Sequence, residues 1–412
     1  MDAVPRRQSV RKGQAMNNFS KAAEDCGAYI LEQRRWLHRH AELSWQERET
    51  TEHIAGELRA MGLEPHRFPD GRTGVWATIH GHNAGERGRT ILLRADIDAL
   101  PVQECTGAEY ASIHSGVMHA CGHDCHGAML LGAAKLLTQC ADQLSGDVRL
   151  LFQGGEETAI GAKYYVEQGI LDGVDAVYSC HVNSDYPAGT INLQTGSRMP
   201  SCDQFAITVQ GVSAHGAMPH RGKDPIVAAA NIIMSLQTLV SRVNDPQNAL
   251  VVSVGKIEGG QSYNIIPGSV ELQGTVRTFS RRMREEMDQL MRQIAQPAAQ
   301  AMGCTAELDY QWKTGPVIHD SALMNRLVRQ AAVELYGEAW INEEVFGVFS
   351  DDFAFFSERV PGFYAMLGIR NESLDCVYPH HHQCFNVDES VLPRGAAMFA
   401  QVAADFLHEA AL

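Results

Sequence analysis

The stretch RTILLRADIDALP, residues 89–101, begins as a short apolar strand and ends in two aspartates and a proline. The same order recurs in GDVRLLFQGGEE, residues 146–157, and in DAVYSCHV, residues 175–182, where we expect the strand to end at its histidine. Strands alternating with helices predict an α/β domain with a mostly parallel central sheet, covered on both faces. Ligands of such a sheet collect outside the carboxyl ends of its strands. The pattern places five polar residues there: Asp96, Asp98, Glu156, Glu157 and His181.

A different succession of elements occupies residues 198–315. We predict strand, helix, strand, strand, helix and strand, which is the ferredoxin-like order. The first helix lies in DPIVAAANIIMSLQTLVSRV, with Asp224 as its cap and Pro225 in its first turn. Its predicted apolar stripe consists of Ile226, Ala230, Ile233, Leu236 and Val240. We therefore predict one domain built from residues 21–197 and 316–412, interrupted by a small α+β domain at 198–315.

The amino-terminal part of the chain is predicted in two pieces. Residues 1–20 include a basic stretch without the apolar core of a secretory signal, so we predict that they are disordered or form an extension outside the fold. From about Ala28 to Met61 the periodicity predicts helix.

Composition excludes two classes of partner. The 412 residues carry a formal net charge of −15, whereas binding to nucleic acid needs a basic face. No uninterrupted apolar run of the length that spans a bilayer occurs, so we expect no membrane span. Ten cysteines without a secretory signal favour reduced thiols over a disulfide framework. We therefore predict a cytoplasmic protein that binds neither nucleic acid nor membrane.

The loop MHACGHDCH, residues 118–126, concentrates metal-binding side chains before a predicted helix. Haem attachment is disfavoured because Cys121 and Cys125 enclose three residues instead of two. A zinc finger needs a second paired cluster, and none follows. A redox pair stays open, because a thiol-rich loop can oxidise whatever its main role. Metal ligation by Cys121 and His123 is the remaining alternative to a purely structural loop.

Three further features bear on that choice. They are the glutamate pair of GEE at 155–157, His181, and the run HHH at 380–382. Each has an ordinary explanation alone: solvated carboxylates, a hydrogen-bonded core histidine, or a surface histidine tract. Together they supply thiolate, imidazole and carboxylate ligands in numbers that suit two divalent ions.

The chain resembles a family of metal-dependent amidohydrolases over about residues 30–410. That family includes hippurate hydrolases, bacterial aminoacylases and indole-acetyl-amino-acid hydrolases, which are related to two-domain aminoacylases and carboxypeptidases. The resemblance rests on motifs in the family's order: LRADIDALPVQE, MHACGHD followed by AMLLGAA, FQGGEE, GVSAHGAMPH, VGKIEGGQSYNIIPGSVELQGTVRTF, SDDFAFF and HHHQCFNVDES. It implies a dinuclear-metal exopeptidase-like catalytic domain, with the inserted domain acting as a lid.

The resemblance also implies roles for individual residues. Glu156 would be the general acid and base, and Asp98 would orient a metal ligand, with Asp96 as the alternative. In the lid, His215 would stabilise the oxyanion, and Asn264 and Arg277 would hold the substrate carboxylate. His381 is preferred over its neighbours His380 and His382 because the family's ligand stands four residues before the aromatic Phe385. The implied metal ligands are Cys121, His123, Glu157, His181 and His381.

We therefore predict hydrolysis of N-acyl amino acids (N-acetyl, N-benzoyl or indole-acetyl) by an enzyme with two divalent ions. Zinc or manganese are expected, with cobalt or nickel as alternatives. Relatives often pair through the inserted domain, which implies a homodimer. A dipeptidase or carboxypeptidase is the nearest alternative function, and a non-catalytic metal-dependent binding protein is a more distant one.

Four segments depart from the family pattern. FQPAEEGGGGA becomes FQGGEETAIGA, HDGH becomes HDCH, GSEDF becomes FSDDF, and HxPxF becomes HHQCF. Phe349 thus stands where the family has glycine. We expect Phe349, Thr158 and the segment 382–384 to reshape the acyl or side-chain pocket, and Cys125 to take no part in metal binding.

Overall fold

The computed structural model describes residues 18–82, 88–344 and 349–409. Its helices are α1 (Phe19–Asp25), α2 (Gly27–Arg39), α3 (Arg48–Ala60), α4 (His123–Thr138), α5 (Gly161–Glu167), α6 (Pro225–Thr238), α7 (Arg281–Gln300), α8 (Ala322–Tyr336), α9 (Ala354–Ser357) and α10 (Leu392–Glu409). Its strands are β1 (Val75–Ile79), β2 (Arg89–Asp96), β3 (Gly146–Gln153), β4 (Ala176–Pro187), β5 (Ile191–Asn192), β6 (Gly196–Met199), β7 (Cys202–Gln210), β8 (Ala214–His215), β9 (Leu250–Gly259), β10 (Ile265–Ile266), β11 (Ser269–Thr278), β12 (Thr305–Thr314), β13 (Val317–His319), β14 (Ile341–Asn342) and β15 (Gly362–Arg370).

The larger sheet has seven strands in the order β1-β3-β2-β4-β15-β5-β14. The pairs β2–β3, β2–β4, β4–β15 and β5–β14 are parallel, whereas β1–β3 and β5–β15 are antiparallel. Helices α2, α4 and α10 contribute to the main apolar core that packs on this sheet. The prediction of a mostly parallel α/β sheet is therefore confirmed.

Strand β4 is longer than the sequence pattern predicted. It runs on to Pro187 instead of ending at His181. Its partner β15 pairs with it on both sides of the histidine, and Met366 lies opposite His181 in the register. This long-range pairing keeps the chain extended beyond the point where its apolar run ends.

The amino-terminal helices differ from prediction in two respects. Phe19 is a buried core residue in α1, so folded chain begins inside the segment 1–20 that was predicted to lie outside the fold; residues 1–17 lie outside the described residues. The helix predicted over 28–61 is broken between α2 and α3. There Ala99 donates its backbone N–H to the carbonyl of Glu42, and the Ser44 hydroxyl donates to Asp98. These contacts draw the intervening loop towards the end of β2.

The second sheet holds four antiparallel strands in the order β12-β7-β11-β9. Along the chain its elements follow the predicted order β7, α6, β9, β11, α7 and β12. Both helices pack on the sheet and share an apolar core with it. We call β7 to β12, residues 202–314, the inserted unit. The domain limits at 198 and 315 remain a prediction.

Helix α6 packs by a face that only partly overlaps the predicted stripe: Leu236 is buried and Ile233 and Val240 are half-buried against the core, but Ala230 is exposed. Ala228, Ala229, Ile232 and Leu236 are buried, whereas Ile226 is 43% exposed. The helix is apolar around most of its circumference, so periodicity did not identify the packed face. The segment Pro225–Val243 is also long and apolar enough to cross a membrane, by length and composition alone, which is weak support for a span. The absence of a membrane partner therefore stays a prediction.

Candidate metal centre

The glutamate pair sits on a turn that follows β3. Gly155 has a φ of 73°, and a single helical turn covers Glu156–Thr158. A Cβ on Gly155 would lie 2.4 Å from the Trp45 ring, so a side chain at this position would clash. Successive side chains of a strand point to opposite faces. The glycine turn removes that restriction and lets both carboxylates face one side.

A second glycine turn sets the spacing of Cys121 and His123. Gly122 has a φ of 90° and precedes α4, which begins at His123. A Cβ on Gly122 would lie 2.3 Å from a methyl carbon of Val182 on β4. Glycine therefore lets the loop approach the central sheet closely, beside the strand that carries His181.

The five predicted ligands converge in space. The Cys121 Sγ lies 3.7 Å from the His181 Nε2. The Glu157 Oε1 lies 3.9 Å from the His123 Nε2 and 3.5 Å from the His381 Nε2. Residues far apart in the sequence thus present one thiol, three imidazoles and one carboxylate to each other. Overlapping sets with all donor atoms within 4.8 Å of one another are Cys121–His123–His181, Cys121–Glu157–His381 and His123–Glu156–Glu157, and the same criterion also groups Asp96–His123–His126 and Glu156–Asp351–Asp352.

Two donor atoms in this cluster indicate that it suits a cation. The Nε2 of His123 and the Oε1 of Glu157 are buried and have no hydrogen-bond partner in the described residues. Buried polar atoms without partners cost free energy, which a ligand removes. Thiolate and imidazole together favour a first-row transition metal over magnesium or calcium. The residues present therefore fit divalent metal ions.

Of the three consecutive histidines, His381 is the one that meets the cluster. The His380 Nε2 lies 3.1 Å from the carbonyl of Val182, and the His382 Nδ1 accepts the backbone N–H of Cys384 at 3.0 Å. His381 has a φ of 66°, and its own N–H is bonded to Ala120. This turn directs its ring towards Glu157. The geometry agrees with the preference for His381, whose role as a ligand stays a prediction.

Asp98 and Asp96 hold different histidines. The His123 Nδ1 lies 2.9 Å from the Asp98 carbonyl and 3.3 Å from its carboxylate, which also accepts the Glu157 N–H at 3.0 Å. Asp96 bonds the Nδ1 of His126, whose Nε2 accepts the N–H of Val182 at 2.9 Å. Both ring nitrogens of His126 are therefore occupied. Asp98 is the carboxylate placed to orient a ligand.

A buried acidic group beside Glu156 was not assigned from the sequence. Asp351, together with burial, raises the pKa of Glu156 well above its usual value. The fully buried Arg94 donates to Asp96 at 2.7 Å and to Asp352 at 2.8 Å. Two features of the sequence could have indicated this buried group: the paired aspartates of SDDFAFF, and an arginine inside an apolar strand. Their proximity depends on a contact between residues 258 positions apart.

Within the loop, Asp124 and Cys125 have different neighbours from Cys121. Asp124 binds the Arg34 Nε at 2.9 Å and the His38 Nδ1 at 2.7 Å, and all three side chains are buried. Cys125 is fully buried, and Asp124 and Arg34 are its nearest charged groups. Cys121 instead has Glu157, His123 and His381 beside it. This separation argues against pairing of Cys125 with Cys121.

A cavity of about 370 Å³ adjoins the cluster. Phe349 is an apolar wall of it, with its ring centre 6.0 Å from that of His181. Arg277 reaches the rim, where its guanidinium donates to the Ser350 Oγ at 2.8 Å. The lining residues are Cys121, Glu156, Glu157, Ala159, His181, Phe349, Ser350, Asp351, His380 and His381.

His215 and Asn264 do not line this cavity. They adjoin each other in the inserted unit, where β8 pairs with β10 and the Gly216 N–H donates to the Asn264 carbonyl at 2.8 Å. Both side chains are exposed. Arg277 therefore contacts Ser350, which lines the cavity, whereas neither of the other two predicted lid residues lines it.

Comparison with known proteins finds a matching family model, similar proteins and a similar crystal structure. A family model described as Peptidase family M20/M25/M40 matches residues 92–405. An N-acetyl-L-cysteine deacetylase of Bacillus subtilis is 41% identical over 87% of this chain and 83% of its own length. Thermostable carboxypeptidase 2 of Saccharolobus solfataricus is 37% identical over 95% and 98%. The crystal structure of the Bacillus subtilis YXEP protein, a dinuclear metal binding peptidase, is 36% identical, covers 93% of this chain and 99% of its own, and has a TM-score of 0.82.

Proposed function

The chain belongs to peptidase family M20/M25/M40, and from that premise we propose that it is a dinuclear metal amidohydrolase of N-acyl amino acids. One observation carries the proposal: Glu156 and four of the five candidate ligands line a single cavity of about 370 Å³, and the fifth, His123, has its Nε2 3.9 Å from the carboxylates of Glu156 and Glu157. A deacetylase of N-acetyl-L-cysteine among the relatives supports an N-acyl amino acid as substrate.

We propose that Cys121, His123, Glu157, His181 and His381 hold two divalent ions. Bound there, the ions would activate water and polarise the carbonyl of the scissile amide. Zinc or manganese fit this mixed donor set, with cobalt or nickel as alternatives. Asp98 positions two of the five groups, since it binds the His123 ring and the Glu157 backbone. Such supporting contacts fix ligand orientation and raise ligand basicity.

Glu156 is the proposed general base and acid. Its Oε2 lies 3.9 Å from the His123 Nε2, and its Oε1 lies 3.5 Å from the backbone N of Asp352. It would take the proton of the attacking water and pass it to the nitrogen of the leaving amino acid.

Arg277 is the proposed anchor for the substrate carboxylate, because its planar guanidinium suits a carboxylate and its contact with Ser350 places it at the rim. His215 and Asn264 are proposed to assist, as oxyanion donor and carboxylate ligand. Their exposed positions mean that either the inserted unit must close or a second copy must bring them to the cavity.

A substrate panel tests the proposed function. The purified protein is restored with each metal in turn and assayed on N-acetyl, N-benzoyl and indole-acetyl amino acids and on dipeptides. We expect turnover of the N-acyl amino acids. Exclusive cleavage of peptides would favour the alternative of a dipeptidase or carboxypeptidase, which the archaeal carboxypeptidase relative supports. Metal-dependent binding without turnover would favour a non-catalytic binding protein.

Phe349 should control which substrates fit. In a Phe349→Ala variant we expect kcat/KM for a bulky substrate to rise by about tenfold or more relative to a compact one, because discrimination by an apolar wall is of that order. Two series, one varying the acyl group and one the amino-acid side chain, identify the half of the substrate that meets the ring. Leu374→Ala is the control, because Leu374 is 55% exposed and lies outside the cavity lining. Unchanged ratios in both series would contradict the assignment.

We also propose a cytoplasmic homodimer that binds neither nucleic acid nor membrane. Cysteines such as Cys105, Cys121 and Cys384 are free thiols, which suits a reducing compartment. Helix α6 and the turn after it expose Val227, Met234 and Val243, at 50%, 70% and 47%. A second copy of the same face would cover the apolar side chains of Val227 and Met234, as a two-fold interface does.

Met234→Glu should therefore convert the dimer to a monomer. A charge placed at the centre of an apolar two-fold interface is paired with its own copy and loses hydration. Sedimentation velocity measures the change, and Leu374→Glu is the control at an exposed apolar residue elsewhere. A wild-type monomer, or a dimer that survives Met234→Glu, would remove the proposed interface.

A further inference from the structure

Two cysteines outside the cavity lie side by side although 279 positions separate them. The Cys105 N–H donates to the carbonyl of Gln383 at 2.9 Å, and the Cys384 Sγ lies 3.8 Å from the Cys105 carbonyl oxygen. Cys105 is exposed, and Cys384 is half-buried. Both are thus accessible thiols on adjoining backbone segments.

We propose that Cys105 and Cys384 are an oxidative modification site that forms a reversible disulfide. A disulfide needs neighbouring backbones, with Cα atoms usually 4.4–6.8 Å apart. A direct hydrogen bond from Cys105 to the residue before Cys384 supplies that proximity. Transient disulfides of this kind occur in reducing compartments as redox sensors. The inference concerns thiol chemistry and does not depend on the proposed function.

Hydrogen peroxide is the proposed oxidant. The thiolate of the exposed Cys105 attacks one peroxide oxygen, which forms a sulfenic acid and releases hydroxide that becomes water. The Cys384 thiol then attacks the sulfenic sulfur, the S–S bond forms, and a second water leaves. In total the two thiols lose two protons and two electrons, and one peroxide is reduced to two waters. A dithiol reverses the reaction by thiol–disulfide exchange.

The bond would join two segments that support the metal centre. Cys384 lies three residues after His381. Cys105 follows Glu104, whose carboxylate lies 3.3 Å from the His38 Nε2, and His38 in turn holds Asp124 beside His123. The hydrogen bond from Cys105 to Gln383 already holds the two backbones together, so closing the bond requires the Cys105 thiol to leave its contact with the Gln103 carbonyl, 3.8 Å away. The expected effect is a stiffer support for these loops, with the cluster intact.

The test uses the full-length protein and hydrogen peroxide at one to two equivalents. After alkylation of the remaining thiols and digestion, we expect a peptide pair linked through Cys105 and Cys384, lighter by two hydrogens than the separate peptides. Dithiothreitol should abolish the link. The unfolding temperature should rise by roughly 5 °C on oxidation, because a crosslink across a long loop restricts the unfolded chain.

Cys105→Ser and Cys384→Ser should each remove both the linked peptide and the temperature rise. Cys202→Ser, at another half-buried cysteine, should retain both. Oxidation of Cys105 only to sulfinic acid, or its linkage to a different cysteine, would overturn the proposal. So would a temperature rise that persists in Cys105→Ser.

Discussion

Replacing Glu156 by glutamine should lower kcat by about 10²- to 10⁴-fold, which is the range that a positioned general base contributes. Glutamine keeps the size and hydrogen-bonding shape of the side chain but cannot take the proton of the attacking water. Its amide also relieves repulsion among the buried carboxylates, so the variant should fold at least as well as the parent. Steady-state kinetics on the best N-acyl amino acid of the panel gives the measurement.

Metal content separates this effect from a damaged site. The Glu156→Gln protein should retain its metal, because Glu156 is not one of the five proposed ligands. Glu167→Gln is the matched control: Glu167 is a glutamate whose side chain is 61% exposed, on α5. Undiminished turnover in Glu156→Gln would remove the proposed mechanism, although not the family membership.

Replacing His381 by alanine should weaken binding of at least one metal ion by about 100-fold or more, since loss of a mere supporting contact already costs 10- to 100-fold. Activity should fall with the bound metal. Metal analysis after dialysis, with activity measured across added metal concentrations, gives both quantities.

The neighbouring histidines are the controls for His381. His380→Ala removes a ring bonded to the Val182 carbonyl, and His382→Ala removes a ring stacked on Tyr378 with centroids 4.7 Å apart. Both variants should keep their metal. Loss of metal from His380→Ala or His382→Ala, with His381→Ala unaffected, would reassign the ligand.

Much of the fold followed from local sequence patterns. Apolar runs predicted β2 and β3, and a capping aspartate and a proline marked the start of α6, where Asp224 accepts the Ile226 N–H at 2.9 Å. The predictions that failed concern elements whose ends depend on contacts with residues distant in the sequence. Strand β4 continues past His181 because β15 pairs with it, and the helix predicted over 28–61 breaks where its loop contacts Ala99 and Asp98.

The candidate site divides in the same way. The sequence predicted Cys121, His123, Glu156 and Glu157 as site residues. Glycines stand beside them because the two turns that carry them need glycine. The choice among three consecutive histidines rested on a family resemblance alone. In the structure the His380 ring contacts Val182 and the His382 ring stacks on Tyr378. Sequence periodicity does not predict either contact.

The sequence by itself therefore determined the fold class, the order of the main elements in the inserted unit and the ligand types available. Each of these depends on residues close together in the chain. Only the tertiary structure decided that Arg94 joins Asp96 to Asp352, that α6 packs by Ala228 and Ile232, and that Cys105 meets Cys384. These contacts join segments that are far apart in the sequence and meet only in the folded chain. Local sequence patterns therefore do not predict them.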